Sequence, residues 1–320
     1  MDVIEEKPKL SVVITFRNEG DEIRRTVESI RSTSSGQVEI ILINDASNDD
    51  YPYLQVARQY ACRYESWGES KGPGFNRHFG VLLAKADTVL LLDAHMRFYQ
   101  TNWVDRLIEC TTESPKTVFC TASKPLNAQG EKLPYPEGRG ATVNMITDCA
   151  ISLFLPAWNT RTPAVMGGET SVPCILGATY CFKKDYFLYL EGYEGLFKYG
   201  GEEAFLSMKS WLIGDGCKVI DDVSIGHIYK SGNPRPWHSE ESFYAYNKLL
   251  LAATVFPVEQ FESITRVFAA YENYPMVMRQ FKQREEGIVD LRKRIQSKMR
   301  RPVDYFIELN DSFRQPATHS

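Results

Sequence analysis

The chain has 320 residues, 43% of them hydrophobic and 24% charged, the proportions of an ordinary globular protein. They exclude a disordered chain, a collagen-like repeat and a small disulfide scaffold. With 37 basic against 41 acidic residues, they also argue against a protein that coats nucleic acid over its whole surface. Length alone allows one large domain or two smaller ones. Met1–Lys9 is polar, and apolar runs such as Val89–Leu92 fall far short of the roughly 20 residues a membrane helix needs. Cys62, Cys110, Cys120, Cys149, Cys174, Cys181 and Cys217 are scattered and form no CxxC pair. The expectation is a cytoplasmic protein with free thiols.

The first third of the chain alternates between two patterns. Leu10–Phe16 is a β-rich apolar run ended by Arg17-Asn18-Glu19-Gly20. Ile23, Val27 and Ile30 then fall at helical spacing within Asp21–Arg31. Val38–Ile43 predicts a second strand, ended by Asn44-Asp45-Ala46-Ser47, and a helix over Tyr53–Tyr60 follows. After the Gly72-Pro73-Gly74 loop, Phe75–Lys85 reads as a helix. Thr88–Leu92 reads as a strand closed by Asp93-Ala94-His95, Trp103–Cys110 as a helix and Thr117–Thr121 as a strand. Nearly all-apolar strands separated by single helices predict an α/β fold with a mostly parallel sheet flanked by helices. Such sheets bind ligands at the carboxyl ends of their strands, where Arg17–Asp21, Asn44–Asp49 and Asp93–Arg97 lie.

From Ser123 to Gly168 proline and glycine are frequent, which predicts long connections over the sheet. Strands are expected again at Ile175–Phe182, Cys217–Asp221 and Ile225–Tyr229, with a helix over Glu202–Ile213. Beyond Glu240 the chain reads as helical: Phe243–Thr254, Val258–Tyr271 and Pro275–Arg300. Arg279, Lys282, Arg284, Arg292, Lys293, Arg294, Lys298, Arg300 and Arg301 crowd the last of these, opposed by Glu285, Glu286 and Asp290. The expected division is a sheet domain over residues 1–238 and a helical C-terminal extension over 239–320, a candidate acceptor-binding region.

Several side chains carry chemistry. In an extended segment residues two apart point to the same side, so Asp93 and His95 would face one point in space. They make half a site for a divalent ion such as Mn²⁺, with phosphate oxygens completing it. Taken alone, Asp93 would equally suit a helix cap. His227, in Ile225-Gly226-His227-Ile228-Tyr229, is a third candidate ligand. A hydrogen-bonded core histidine is the alternative, and Gly226 beside it lets a group approach the backbone. Gly200-Gly201-Glu202-Glu203 puts two carboxylates at a helix start, where the dipole favours them. The paired glycines also clear room for a bulky polar ligand, and the two acids could divide the work of holding an acceptor hydroxyl and taking its proton. Asp45 could bond a nucleotide base or ribose, or close a local turn. Arg77 could meet a diphosphate or lie on a solvated helix face.

The order of these motifs resembles the GT-A nucleotide-sugar glycosyltransferases of the broad family-2 class, in particular the polypeptide N-acetylgalactosaminyltransferase branch. Ser11–Glu19 (SVVITFRNE) is similar to that branch's opening strand, and Glu39–Ser47 (EIILINDAS) to its nucleotide-contacting strand. Leu92–His95 (LDAH) resembles its DxH metal motif, Thr160–Gly168 (TRTPAVMGG) its substrate loop, Tyr199–Glu203 (YGGEE) its WGGEN motif, and Ser224–Lys230 (SIGHIYK) the segment with its final metal histidine. The matches are collinear over about residues 10–230. The resemblance implies a GT-A, Rossmann-like fold and a metal-dependent transfer of sugar from a nucleotide diphosphate sugar, a UDP-sugar first of all. Asp93, His95 and His227 would hold Mn²⁺ or Mg²⁺. Thr15, Phe16 and Asp45 would line the nucleotide pocket, with Arg77 near the sugar or diphosphate. Tyr199 and Glu202 would line the sugar subsite over Gly167-Gly168, and Lys230 with Arg235 would close over the phosphates.

The chain departs from that branch in placing Glu203 where the branch has Asn, which makes Glu203 a candidate general base, and Tyr199 where it has Trp. No membrane anchor or lectin-like module is recognisable, so a bacterial or viral cytoplasmic enzyme is expected. The acceptor would be a saccharide, a hydroxylated DNA base tracked by the basic C-terminal helix, or a protein. A binding protein on a degenerate transferase fold is the competing class. A nucleotidyltransferase would need a glycine- and lysine-rich phosphate loop, and Arg17-Asn18-Glu19-Gly20 is not one.

Overall fold

The computed structural model describes residues 7–34, 37–145, 150, 152–229 and 241–314. Strands β1 (Leu10–Phe16), β2 (Val38–Asn44), β3 (Arg63–Ser66) and β4 (Thr88–Leu92) alternate with helices α1 (Glu22–Thr33), α2 (Tyr53–Gln59) and α3 (Pro73–Leu83). β1, β2 and β4 are apolar and buried almost throughout, because helices cover both faces. They pair in parallel, with Leu10 opposite both Val38 and Thr88. Then follow β5 (Met96–Arg97), α4 (Trp103–Glu113), β6 (Val118–Leu126), the ribbon of β7 (Ala141–Val143) and β8 (Pro156–Trp158), β9 (Thr179–Lys183), α5 (Lys184–Tyr189), α6 (Glu202–Ile213) and β10 (Cys217–Ile228). The chain continues through α7 (Glu241–Val255), α8 (Val258–Phe268), α9 (Tyr274–Gln283), α10 (Glu285–Gln296) and α11 (Val303–Arg314).

The main sheet runs β3-β2-β1-β4-β9-β6-β10-β5. The expected parallel pairing holds for β1 to β4 and for β6 with β10. It fails at β9, which lies antiparallel between β4 and β6, and at β5, antiparallel on the edge of β10. The chain reaches β9 through the long connection after β6, with no crossover helix among its described residues, so no helix there enforces a parallel entry. β10 is one strand where two short ones are expected. Polar Asp221-Asp222 mark a shift of register between Ile220 and Ser224 rather than a break. The last long helix is instead two, α9 and α10, parted at Arg284 (φ −116°). That guanidinium lies 4.4 Å over the Phe197 ring and 5.5 Å from that of Tyr246, a cation–π contact. β3, β5 and α11 were not legible as elements: β3 is polar and partly exposed, and β5 is two residues long.

Two cores flank the sheet. One face packs Ile23, Val27, Val56 and Leu107 of α1, α2 and α4. The other face packs Val81, Phe205, Leu250, Ile295 and Phe306, so the helices beyond residue 240 share a core with the sheet. Many of the basic residues in the C-terminal helices face inward for a reason other than nucleic acid. Arg294 pairs with Glu191, Asp290 and Glu194, the last at 2.5 Å. Lys298 pairs with Glu191 and donates to the Tyr189 carbonyl at 2.8 Å. Arg292 donates to the Ala253 carbonyl, and Arg301 to those of Trp211 (2.7 Å) and Gly214 (2.6 Å). Arg294, Lys298 and Arg301 tie the C-terminal helices to α6 and to residues 189–194, and Arg292 ties α10 to α7. Arg279, Lys282, Lys293 and Arg300 stay exposed.

Helix α3 lies close on β1 because it carries Gly80 at the contact. A Cβ there would sit 2.2 Å from Cγ1 of Val13 and 2.9 Å from Cδ1 of Ile43. Ala is the better helix former by about 1 kcal/mol, but overpacking costs roughly 1–3 kcal/mol, so the clash wins. Gly80→Ala should lower the stability measured by chemical denaturation, and adding Val13→Ala should restore part of the loss.

Candidate active site

A cavity of about 460 Å³ opens at the carboxyl ends of β1 and β4. Thr15, Glu19, Arg77, Asp93, His95, Gly177, Tyr199, Glu202, Glu203 and His227 are among its lining residues.

Backbone pairing brings the candidate metal ligands together. Asp93 and His95 follow β4, and the Asp93 amide donates to the Ala178 carbonyl at 2.9 Å. The chain then pairs back on β10, with Met96 opposite His227 and Arg97 opposite Gly226. The Ile228 amide closes this by donating to the His95 carbonyl at 3.1 Å. The ladder needs a glycine at Gly226, where a Cβ would meet the Leu126 side chain at 2.7 Å and the Tyr99 hydroxyl at 2.8 Å. Ligand atoms of Asp93, His95 and His227 thus lie within 4.8 Å of one another. The two imidazoles stack with centroids 5.0 Å apart, and His227 Nε2 is 3.6 Å from Asp93 Oδ2.

The donor set fits a divalent ion. One carboxylate oxygen and two imidazole nitrogens suit a borderline metal. Among the described residues neither ring nitrogen of His227 has a hydrogen-bond partner, although both are buried, a costly state without a ligand. Burial holds His227 below the usual imidazole value, against the pull of Asp93 the other way, so it presents a neutral ring. Burial would raise the Asp93 carboxyl, but His227 and the Arg77 guanidinium outweigh it and hold it at about 2. Arg77 Nη2 donates to Asp93 Oδ1 at 2.8 Å. Two supporting residues escaped the sequence reading. Glu19 Oε2 lies 3.2 Å from His95 Nδ1, which leaves the other ring nitrogen to a ligand. Thr26 of α1 donates to the Ala94 carbonyl at 2.8 Å and accepts from the Met96 amide at 3.0 Å, fixing the turn between the two ligands. Glu19 ends the polar cluster after β1, but only the fold puts it beside His95.

The carboxylate pair opens α6. Gly201, in the left-handed region at φ +89°, precedes the helix, and Gly200 has φ +104°. Glu202 is buried, and its Oε1 accepts from the Gly200 amide at 3.4 Å. Burial, with the neighbouring Glu203 adding to it, pushes the Glu202 carboxyl up to about 7 against the pull of Arg77. Glu203 lies under Gly177, where any Cβ would come within 2.0 Å of its Oε1.

Other expected site residues lie elsewhere. Phe16 is buried against Tyr53, ring centroids 4.7 Å apart, and does not line the cavity. Asp45 is fully buried, and its carboxylate accepts from the Ser70 hydroxyl (2.5 Å) and the amides of Lys71 (2.7 Å) and Gly72 (3.1 Å). It anchors the loop that starts α3 rather than standing open to a ligand. Gly167 and Gly168 are exposed and outside the cavity, and the glycines that line it are Gly177, Gly200 and Gly201. Lys230 and Arg235 lie outside the described residues.

Comparison with known proteins accords with this geometry. Residues 11–149 match the model of glycosyl transferase family 2. The chain is 27% identical over 259 residues to polypeptide N-acetylgalactosaminyltransferase 3 of Taeniopygia guttata, covering 77% of this chain and 42% of that protein. It is 28% identical over 258 residues to the Homo sapiens protein of the same name, covering 77% and 40%. The chain therefore spans about two fifths of the length of these relatives. They are animal proteins and lend no support to a bacterial or viral source. In fold it is similar to GalNAc-T7 in a crystal structure with UDP, GalNAc and Mn²⁺, at TM-score 0.67 and 23% identity, covering 87% of this chain and 54% of that one. It also resembles residues 1–349 of S. aureus TarS in complex with UDP-GlcNAc, at TM-score 0.51 and 16% identity, covering 96% and 92%. Among the described residues no helix is long and apolar enough to cross a membrane. The chain thus carries over residues 11–149 a region that matches the glycosyl transferase family 2 model, has a fold of the GT-A kind, and is similar in sequence to the polypeptide N-acetylgalactosaminyltransferases over about three quarters of its length.

Proposed function

We propose that the chain moves a sugar from a nucleotide diphosphate sugar, a UDP-sugar first of all, to an acceptor hydroxyl, with Mn²⁺ or Mg²⁺ held by Asp93, His95 and His227. The observation that carries this reading is His227, whose buried, unpartnered ring nitrogens sit within reach of Asp93 and His95. A divalent ion supplies charge to offset the negative charge that gathers on the diphosphate as the sugar–phosphate bond breaks. Arg77 adds a fixed positive charge beside the same point, and Thr15 borders the nucleotide side. Lys230 is assigned to the phosphates on motif grounds. Tyr199 and the two glycines after it leave room for the sugar. Glu202, whose carboxyl burial and the adjacent Glu203 push up from its usual range, is able to donate or accept a hydrogen bond at a sugar hydroxyl. Glu203, where the related branch has Asn, is the general base that takes the acceptor proton.

The acceptor read first is a saccharide. Trp158, 46% exposed where it lines the cavity, offers an apolar face on which a sugar ring packs. The names of the relatives favour a protein hydroxyl. Hydroxylated DNA comes last, since Arg292, Arg294, Lys298 and Arg301 are engaged within the fold. The residues beyond 238 serve as the acceptor-binding region in this reading. The competing reading, a binding protein without catalysis, is separated from it by turnover.

Purified protein with Mn²⁺ should hydrolyse at least one of a panel of UDP- and GDP-sugars slowly without an acceptor and faster with the correct one. Asp93→Ala should lower kcat/KM by roughly 100-fold or more, because it removes a ligand to the charge-stabilising ion. Nucleotide-sugar binding with no turnover by the wild-type protein under any acceptor would leave the binding reading in its place.

Glu202 makes a prediction about stability. Its carboxyl is raised from near 4.5 to about 7, so the folded protein holds the proton more tightly than the unfolded chain. Stability from this group is complete below the unfolded value and is lost as pH rises through about 7. Through this group the ligand-free protein should lose at most roughly 2 kcal/mol of stability between pH 5.5 and pH 8, read as a lower melting temperature than a variant without the carboxyl shows over the same range. Glu202→Gln should flatten that dependence.

A further inference from the structure

We infer that Asn247, on α7 beyond the sheet, is the positioning residue that sets the Tyr199-Gly200-Gly201 backbone for the sugar half of the donor. This rests on the transferase reading and extends it to a residue that no motif marks.

Asn247 is 2% exposed, and its amide is spent on a single loop. Its Oδ1 accepts from the Phe197 amide at 2.8 Å. Its Nδ2 donates to the Gly200 carbonyl at 2.7 Å and the Phe197 carbonyl at 3.0 Å, with the Tyr199 carbonyl at 3.4 Å. A buried carboxamide with both ends engaged is a rigid clamp, since either end left unpaired would cost the desolvation of that group. The loop needs such a clamp. Lys198 is a non-glycine at φ +54°, a conformation that persists only where its surroundings over-determine it, while Gly200 and Gly201 at +104° and +89° are free to adopt many others, so outside contacts must fix the loop.

Helix α7 lies flat on this segment. A Cβ on Gly200 would strike the Tyr244 ring at 2.4 Å, and one on Gly201 would come 3.6 Å from Cβ of Asn247. From the other side, Lys198 donates to the Ser70 carbonyl at 2.6 Å, and a Cβ on Gly72 would overlap the Lys198 carbonyl oxygen. Ser70, Lys71 and Gly72 are held in turn by Asp45. The loop is therefore gripped between the Asp45 loop and α7. Tyr199, Gly200, Gly201, Glu202 and Glu203 all border the cavity, so its shape next to the carboxylate pair depends on one side chain about 45 residues later. The metal ligands lie in the turn after β4 and on β10, outside this grip, so the two halves of a donor are separately testable.

Asn247→Ala removes the whole clamp. Asn247→Asp keeps the acceptor for the Phe197 amide and removes the donors. Binding of UDP, UDP-GlcNAc and UDP-GalNAc with Mn²⁺ is measured by calorimetry for each variant and the wild type, together with kcat and KM for hydrolysis. Both variants should bind UDP within about twofold of wild type. They should lose roughly tenfold or more of the extra affinity that the sugar confers, and kcat should fall more than KM rises. Equal loss of UDP and UDP-sugar binding, or no change in either, would overturn the inference. Asn247→Ser covers the case in which Ala and Asp fail to fold. Failure of all three to fold would also overturn it, because the amide would then serve the fold at large. Wild-type protein that binds no nucleotide, with or without Mn²⁺, would instead remove the transferase reading beneath it.

Discussion

The site depends on two residues of antiparallel pairing between β5 and β10. Met96 faces His227 and Arg97 faces Gly226, and this pairing, closed by the Ile228 amide on the His95 carbonyl, brings an imidazole from residue 227 to a carboxylate and an imidazole at 93 and 95. Side chains alternate along a strand, so a slip of one residue in this register would turn His227 away from Asp93. The surroundings hold the register tightly. Gly226 leaves space for Leu126 and Tyr99, Thr26 pins the 94–96 turn, and Glu19 fixes the ring of His95. Such supports around a ligand set are what keep its geometry before anything binds.

Beside this centre stands an uneven distribution of charge. Arg77 and Asp93 form a close pair, and the carboxyls of Glu202 and Glu203 crowd together at the start of α6 near the same guanidinium. The outcome is one acid held low and one held high within a single cavity. Separation of that kind lets one carboxylate stay ionised for a cation while another exchanges protons near neutrality. Arg77 can reach both groups because α3 packs closely on β1 at Gly80 and starts from a loop that Asp45 anchors.

The sequence makes much of this legible, for identifiable reasons. β1, β2 and β4 are apolar along their length, and α6 spans Glu202–Ile213 as its spacing predicts. Asp93 and His95 could be read as partners because they are two residues apart, whereas His227 stood locally as either a ligand or a core histidine, and the motif order of a similar family favoured the ligand. Long-range placement was not legible. Asp45 is a nucleotide candidate by its position after β2, yet its bonds go to Ser70, Lys71 and Gly72. Gly167-Gly168 has the composition of a ligand loop, but Gly177 is the glycine over Glu203. A run of Lys and Arg reads as a surface for phosphate, while several of its members bond to carbonyls and carboxylates that only the folded chain brings near. Nothing about Asn247 stands out in sequence, because its four contacts are all with backbone 47 to 50 residues away.

The most direct test of the central claim is pulsed electron paramagnetic resonance of the protein with one equivalent of Mn²⁺ and UDP, which reads nitrogen nuclei bonded to the ion. The account predicts coupling from two imidazole nitrogens in the wild-type protein and from one in His227→Ala. A wild-type spectrum without imidazole nitrogen, or one unchanged by His227→Ala, would contradict it.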